Sequence, residues 1–163
     1  MTTYVYDGTY EGFLSAVFRI FADKRQHSAI LTAKDKAFGL PFGDEICVEP
    51  NDEHADRVEA RLKALRISKT VYYAWLYDDE DVHNALVAYI RLAIEQNGKP
   101  DGMRYDPAVH AVLTAVRRVL KEVERFQQFT RFVKAGQTAQ GVSVYVADIE
   151  PAYDILPLLI GFF

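Results

Sequence analysis

Cysteine is nearly absent from this 163-residue sequence, which contains only Cys47. One thiol can neither close a disulfide within a chain nor build a cysteine-based zinc site. The scarcity suits a reducing cytoplasm, the expected location. Cys47 lies in Ile46-Cys47-Val48 and is expected to be a small buried strand residue; a reactive thiol is the alternative. Long apolar runs are missing too. The longest, Ile155 to Ile160, is interrupted by Pro157 and falls far short of the roughly 20 residues a membrane helix needs. No basic segment followed by an apolar stretch opens the chain, so neither a membrane association nor a signal peptide is expected. Net charge is −4, which argues against a protein that coats nucleic acid with its whole surface but permits a local basic patch.

Catalytic signatures are equally scarce. There is no Gly-x-Ser-x-Gly, no phosphate-binding loop ending in Gly-Lys-Ser/Thr and no Gly-x-Gly-x-x-Gly. The loop Gly39-Leu40-Pro41-Phe42-Gly43 reads as a turn, not a phosphate cradle. No His-x-Glu with a later Pro-Cys-x-x-Cys occurs, which excludes a zinc deaminase, and no Asp-x-Asp-x-Asp-Gly loop marks an EF-hand. His27, His54, His83 and His110 are scattered, with no pair at ligand spacing. No cofactor and no metal are expected, and no reaction is legible.

What is present is an ordinary globular composition, 50% hydrophobic and 26% charged, with ten Tyr and ten Phe. This fits one domain, residues 1–163, with a core rich in aromatics. Thr3-Tyr4-Val5-Tyr6 reads as a strand and Asp7-Gly8-Thr9 as a turn in which Thr9 caps a helix. That helix carries Tyr10, Phe13, Leu14, Val17, Phe18 and Phe21 at helical spacing. Short strands are expected over 28–33 and 45–49. Asn51 or Asp52 caps a helix with Ala55, Val58, Leu62 and Leu65 inward, and with Glu53/Arg57 and Glu59/Lys63 as i,i+4 pairs. Ser68 is expected to cap a helix containing Tyr72, Trp75 and Leu76. Val82, Leu86, Tyr89, Ile90 and Ala93 mark the next, ended by Asn97-Gly98. Asp106-Pro107 starts a long helix with Val109, Val112, Leu113, Val116, Leu120 and Val123 inward. Residues 129–134 and 142–149 read as strands joined between Gly136 and Gly141, an antiparallel hairpin. Residues 153–163 form an apolar end segment. Without steady βαβ alternation the expected class is α+β: a mostly helical single domain with a small antiparallel sheet that includes a C-terminal hairpin.

Three constellations could carry function. Arg117, Lys121 and Arg125 recur at i, i+4 and i+8, with Arg118 beside them and Arg131 and Lys134 following, interleaved with Phe126, Phe129 and Phe132. Residues 117–134 hold six basic and two acidic side chains. Such a stripe attracts phosphates, and an exposed Phe stacks on a base; the plainer reading is a solvated helix face followed by core phenylalanines. Asp78-Asp79-Glu80-Asp81 with His83 resembles a cation or acid–base cluster, or else carboxylates serving a helix N-terminus. The apolar end, Leu156 to Phe163, either docks on the core or contacts another chain.

Tyr4 to Phe18, with its Tyr-Val-Tyr-Asp-Gly-Thr opening, resembles the start of a bacterial family of probable DNA metabolism proteins. Lys121-Glu122-Val123-Glu124-Arg125-Phe126 with Arg131-Phe132 is similar to a second family run, and Ile149 to Leu159 to a third, in the family's order. The family is a domain of unknown function. Its members are found beside a radical-SAM protein of DNA modification or repair, and some are fused to a uracil-DNA-glycosylase-like domain. The resemblance implies DNA as a partner and one of these two proteins as another. It supplies no catalytic residues. Glu124 and Phe162 stand where the family commonly has His and a His-Phe pair, and the family pattern continues beyond Phe163. Two functions therefore stand side by side: a DNA-repair accessory module touching nucleic acid through Arg117, Arg118, Lys121, Arg125, Arg131 and Lys134, and a protein-interaction domain holding a repair enzyme through the apolar C-terminus. An enzyme of unknown reaction is a third.

Overall fold

The Asp7-Gly8-Thr9 turn builds the first strand-to-helix corner. In the computed structural model, which describes residues 1–37 and 43–163, Gly8 takes φ of +88°, a left-handed conformation open to glycine. The Asp7 carboxylate accepts from the Thr9 amide at 2.9 Å and the Thr9 hydroxyl at 2.7 Å, while Thr9 Oγ1 accepts from the Gly12 amide at 3.0 Å. This corner joins β1 (Thr2–Tyr6) to α1 (Tyr10–Ala22). α1 then carries the chain back so that β2 (Ala29–Ala33) pairs parallel to β1, as a parallel pair requires a crossover. β3 (Asp44–Cys47) pairs parallel on the other side of β1, giving the order β2-β1-β3. This three-stranded parallel sheet is distinct from the antiparallel hairpin, and the sequence reading left its pairing unassigned. The turn expected over Gly39–Gly43 lies, apart from Gly43, outside the described residues.

Tyr4, Val5 and Tyr6 of the central strand are buried, and Phe13, Leu14, Val17 and Ile20 of α1 join them in the main core. Cys47 is exposed, contrary to the expected burial. β3 is an edge strand, and Ile46, its neighbour of opposite facing, is the one packed against the core. α2 (Asp52–Ala64) is capped by Asn51, which accepts from the His54 amide at 2.9 Å. Ala55, Leu62 and Leu65 are buried along it. Lys63 pairs with Glu59 at 3.8 Å, while Arg57 lies 5.2 Å from the centre of the Phe18 ring.

α3 (Ser68–Trp75) begins without a side-chain cap. Ser68 is inside the helix and donates to Glu59 instead, which corrects the capping role expected for it. α4 (Glu80–Gln96) is capped by Asp79 and closed by Asn97 at φ of 52°. α5 (Pro107–Phe129) is capped by Asp106, with Pro107 in its first turn. It runs through Phe129, longer than the sequence suggested. Its buried seam is Val109, Val112, Ala115, Val119 and Val123, whereas Leu120 is exposed.

β4 (Val133–Gln137) and β5 (Ser143–Val146) pair antiparallel. Gly136 lies within β4 at a register shift, and the turn closes through the Thr138 and Gly141 amides. The one-turn helix α6 (Leu156–Leu159) follows. Ile155 and Leu159 dock in a second core with Leu76, Val119 and Val123. Leu156, Ile160, Phe162 and Phe163 stay exposed, so the apolar end docks on the core only in part. The protein is thus a single α+β domain, mainly helical, with a small antiparallel hairpin near its C-terminal end. No helix among the described residues is long and apolar enough to cross a membrane.

A Cβ on Gly12 would lie 2.1 Å from Asp7 Oδ1, an atom already held by two hydrogen bonds. Gly12→Ala should therefore lower stability by about 1 kcal/mol, in place of the gain of about 1 kcal/mol usual in a helix. In an Asp7→Ala background the same change should regain its ordinary sign. Thermal denaturation of the four variants of this cycle checks both.

Candidate nucleic-acid interface

With the α5 seam turned inward, Arg117, Arg118, Lys121 and Arg125 all project from the opposite face and are exposed. At 100° per residue they cover one continuous strip about 100° wide. Arg118, Lys121 and Arg125 share a surface concavity of about 550 Å³ with Phe129 and Tyr153. Arg125 and Arg131 share another of about 490 Å³ with Phe126, Phe129 and Ile149. Arg125 and Phe129 belong to both. Arg117 and Lys134 are exposed but line neither.

The carboxylates leave most of this charge free. Among the described residues, Arg125 is the single member of the six in an ion pair, 2.9 Å from Glu122. Glu122 is fixed by accepting the Ala152 amide at 3.0 Å. The Arg125 guanidinium also stands 4.9 Å from the centre of the Phe126 ring, a cation–π arrangement. Arg118 donates to Tyr77 Oη at 2.7 Å, and Tyr77 stacks on Tyr153 with ring centres 4.6 Å apart. Arg118 thereby pins the C-terminal segment as well as carrying charge. That bond holds the guanidinium above its ordinary range. Glu124 stands just outside the Arg117 edge of the strip, accepting from the Gln128 amide at 3.4 Å, and together with Glu122 it lines the larger concavity.

Only one of the three phenylalanines packs as a core residue would. Phe126 is half-buried against the second core, whereas Phe129 is 68% exposed and Phe132 48%. Phe129, expected at the start of a strand and counted among the rings able to stack on a base, instead ends α5 on its exposed side.

The acidic run does not assemble into a cluster. Asp78 pairs with Lys36 at 2.6 Å, Asp79 caps α4, Glu80 accepts from Thr32, and Asp81 is exposed. His83 is turned away into the core, 3% exposed. Its Nε2 faces the Trp75 carbonyl at 3.0 Å and its Nδ1 the Tyr6 hydroxyl at 3.2 Å. The carbonyl only accepts, so Nε2 carries the hydrogen and Nδ1 accepts from Tyr6. Among the described residues no three His, Cys, Asp or Glu side chains are placed to hold a metal ion.

A separate cleft of about 450 Å³ opens at the C-terminal ends of β1 and β2, lined in part by Tyr6, Asp7, Asp35, Asp78 and Asp154. Its residues are scattered along the chain; the β1–β2 pairing, the Lys36–Asp78 ion pair and the bond from the Asp154 amide to the Leu76 carbonyl bring them together. Burial pushes the Tyr6 hydroxyl up to about 12, so it remains a donor to His83 throughout the neutral range.

The sequence model of a family described as a domain of unknown function (DUF4130) matches residues 80–163. This span covers just over half of the chain and contains the whole strip, Phe129 and the hairpin. Neither a curated protein nor a solved structure matches the chain.

Burial, the main cause, holds the His83 imidazole below its ordinary 6.5. The unfolded chain then takes up this proton first as pH falls below about 6.5. Stability from this group is full above that value and is lost as pH falls toward the folded-state value. The nearby Asp78, Asp79 and Lys36 modulate it. His83→Gln should flatten the melting temperature between pH 7.5 and 5.5 relative to the parent. Parallel curves for the two proteins would refute this assignment.

Proposed function

The chain belongs to the DUF4130 family, a domain of unknown function, and from that premise we propose that it is an accessory module of DNA metabolism that contacts nucleic acid through α5 and the start of the hairpin. One observation carries this reading. Five of the six cations in residues 117–134 are free of ion pairs among the described residues, and three of these five, Arg118, Lys121 and Arg131, line two concavities that share an exposed aromatic ring. In an otherwise acidic protein, such a local excess of unpaired charge is what a phosphate backbone recognises, through release of its counterions. The DNA-metabolism context rests on the resemblance of the three sequence runs. In the same reading, a radical-SAM protein or a uracil-DNA-glycosylase-like domain is the enzyme that this module serves.

Binding of a labelled oligonucleotide, followed by anisotropy between 50 and 200 mM salt, tests it. Affinity should fall steeply with salt, and the double-logarithmic slope should become shallower by about 0.9 for each phosphate contact removed on duplex DNA. Arg117→Glu, Lys121→Glu and Arg125→Glu together should abolish binding while leaving the circular-dichroism melt intact. Undiminished binding by the triple variant would place the contact elsewhere.

A second reading has its own support. Leu156, Ile160, Phe162 and Phe163 leave apolar surface uncovered, which fits a protein contact. Deleting residues 155–163 would also remove Ile155 and Leu159 from the second core, so substitution is the cleaner probe. If this reading holds, Ile160→Glu with Phe162→Glu should abolish co-elution with the radical-SAM protein at unchanged melting temperature. Co-elution that persists counts against it.

A further inference from the structure

We infer that the junction of α5 and β4 is a stacking platform for unpaired bases, so that the nucleic acid this module takes is single-stranded. The inference rests on the nucleic-acid reading above and narrows it. Phe129, the last residue of α5, is 68% exposed and is shared by both concavities. The chain leaves the helix at Thr130 in an extended conformation, and the ring remains uncovered. Cations flank it on both sides: Lys121 and Arg125 on the helix, and Arg131 beyond it.

A ring set among cations, of which Lys121 and Arg131 are free of ion pairs among the described residues, matches a single strand in two ways. Phosphates meet the charges, while a base lays its face on the ring. Stacking of this kind is sequence-tolerant because every base has a π-face. A duplex can use only the first contact, since each paired base has its faces covered by its neighbours. The concavities, about 490 and 550 Å³, fall in the range of small-molecule clefts, roughly 300–1,000 Å³. That is room for individual bases, whereas a double helix would span the surface above them.

The test compares three labelled 15-nucleotide probes at one salt concentration: a mixed-sequence single strand, its duplex, and a single strand with its central bases removed. The parent should bind the intact single strand at least tenfold tighter than either other probe. Phe129→Ala should weaken single-strand binding by about tenfold, within the range measured for base–aromatic stacking, and leave duplex binding unchanged. Phe129→Trp should restore it, which separates stacking from a fault in folding. Equal affinity for the strand with and without bases, or a Phe129→Ala variant that binds like the parent, overturns the stacking platform while the phosphate contact stands. If none of the three probes binds, both readings fall together.

Discussion

The burial of one seam along α5 organises the rest of this structure. Val109, Val112 and Ala115 belong to the main core with the sheet, α1 and α4, while Val119 and Val123 belong to a second core with Leu76, Ile155 and Leu159. A 23-residue helix is about 34 Å long, and it enters both cores only if the same side faces inward along most of its length. Each fully buried valine contributes about 1.5 kcal/mol or somewhat more, so rotating the helix would expose several such contributions at once. The cations at i, i+4 and i+8 on the opposite side are thereby held outward as a consequence of apolar packing. Arg118 adds a link back, since its bond to Tyr77 and the Tyr77–Tyr153 stack tie the C-terminal segment to the helix.

The two clefts are opposite in charge because they are made differently. At the ends of the parallel strands, carboxylates collect from the main-core elements and the C-terminal segment, and Lys36 engages Asp78 while the turn before α1 engages Asp7. On α5 and the hairpin most cations have no carboxylate partner among the described residues, and Phe129 is largely uncovered, while Phe132 meets Phe163 edge-on. A two-stranded hairpin has little stability of its own, and Val133, Val144, Tyr145 and Val146 are exposed along both strands. This end of the molecule is therefore unsaturated both electrostatically and hydrophobically. In the main core the histidine is satisfied by a tyrosine and a backbone carbonyl, whereas the buried Tyr10 hydroxyl and Trp75 indole N–H have no hydrogen-bond partner among the described residues.

Much of the local structure was legible in the residues. Thr9, Asn51 and Asp106 cap where their short polar side chains and the following apolar spacing indicate, Asn97 closes α4, and an antiparallel hairpin forms as expected, though with its first strand displaced to Val133–Gln137 from 129–134. Other positions were misread for identifiable reasons. Ser68 has the chemistry of a cap, but a carboxylate from the preceding helix offers a better acceptor. Cys47 has a strand sequence but lies on an edge. Residues 129–134 read as a strand, but α5 runs through Phe129 and the strand begins only at Val133, because the apolar period of the helix continues to Phe126.

By itself, the sequence determined the elements, their caps and the separation of valines from cations on α5, since these depend on interactions within a few residues of one another. Only the tertiary structure decided that β1 pairs in parallel with two strands, that the acidic run is dispersed, and that Phe129 stays bare between Arg125 and Arg131. Each of these outcomes depends on which distant groups come within a few ångströms, and no local spacing specifies that.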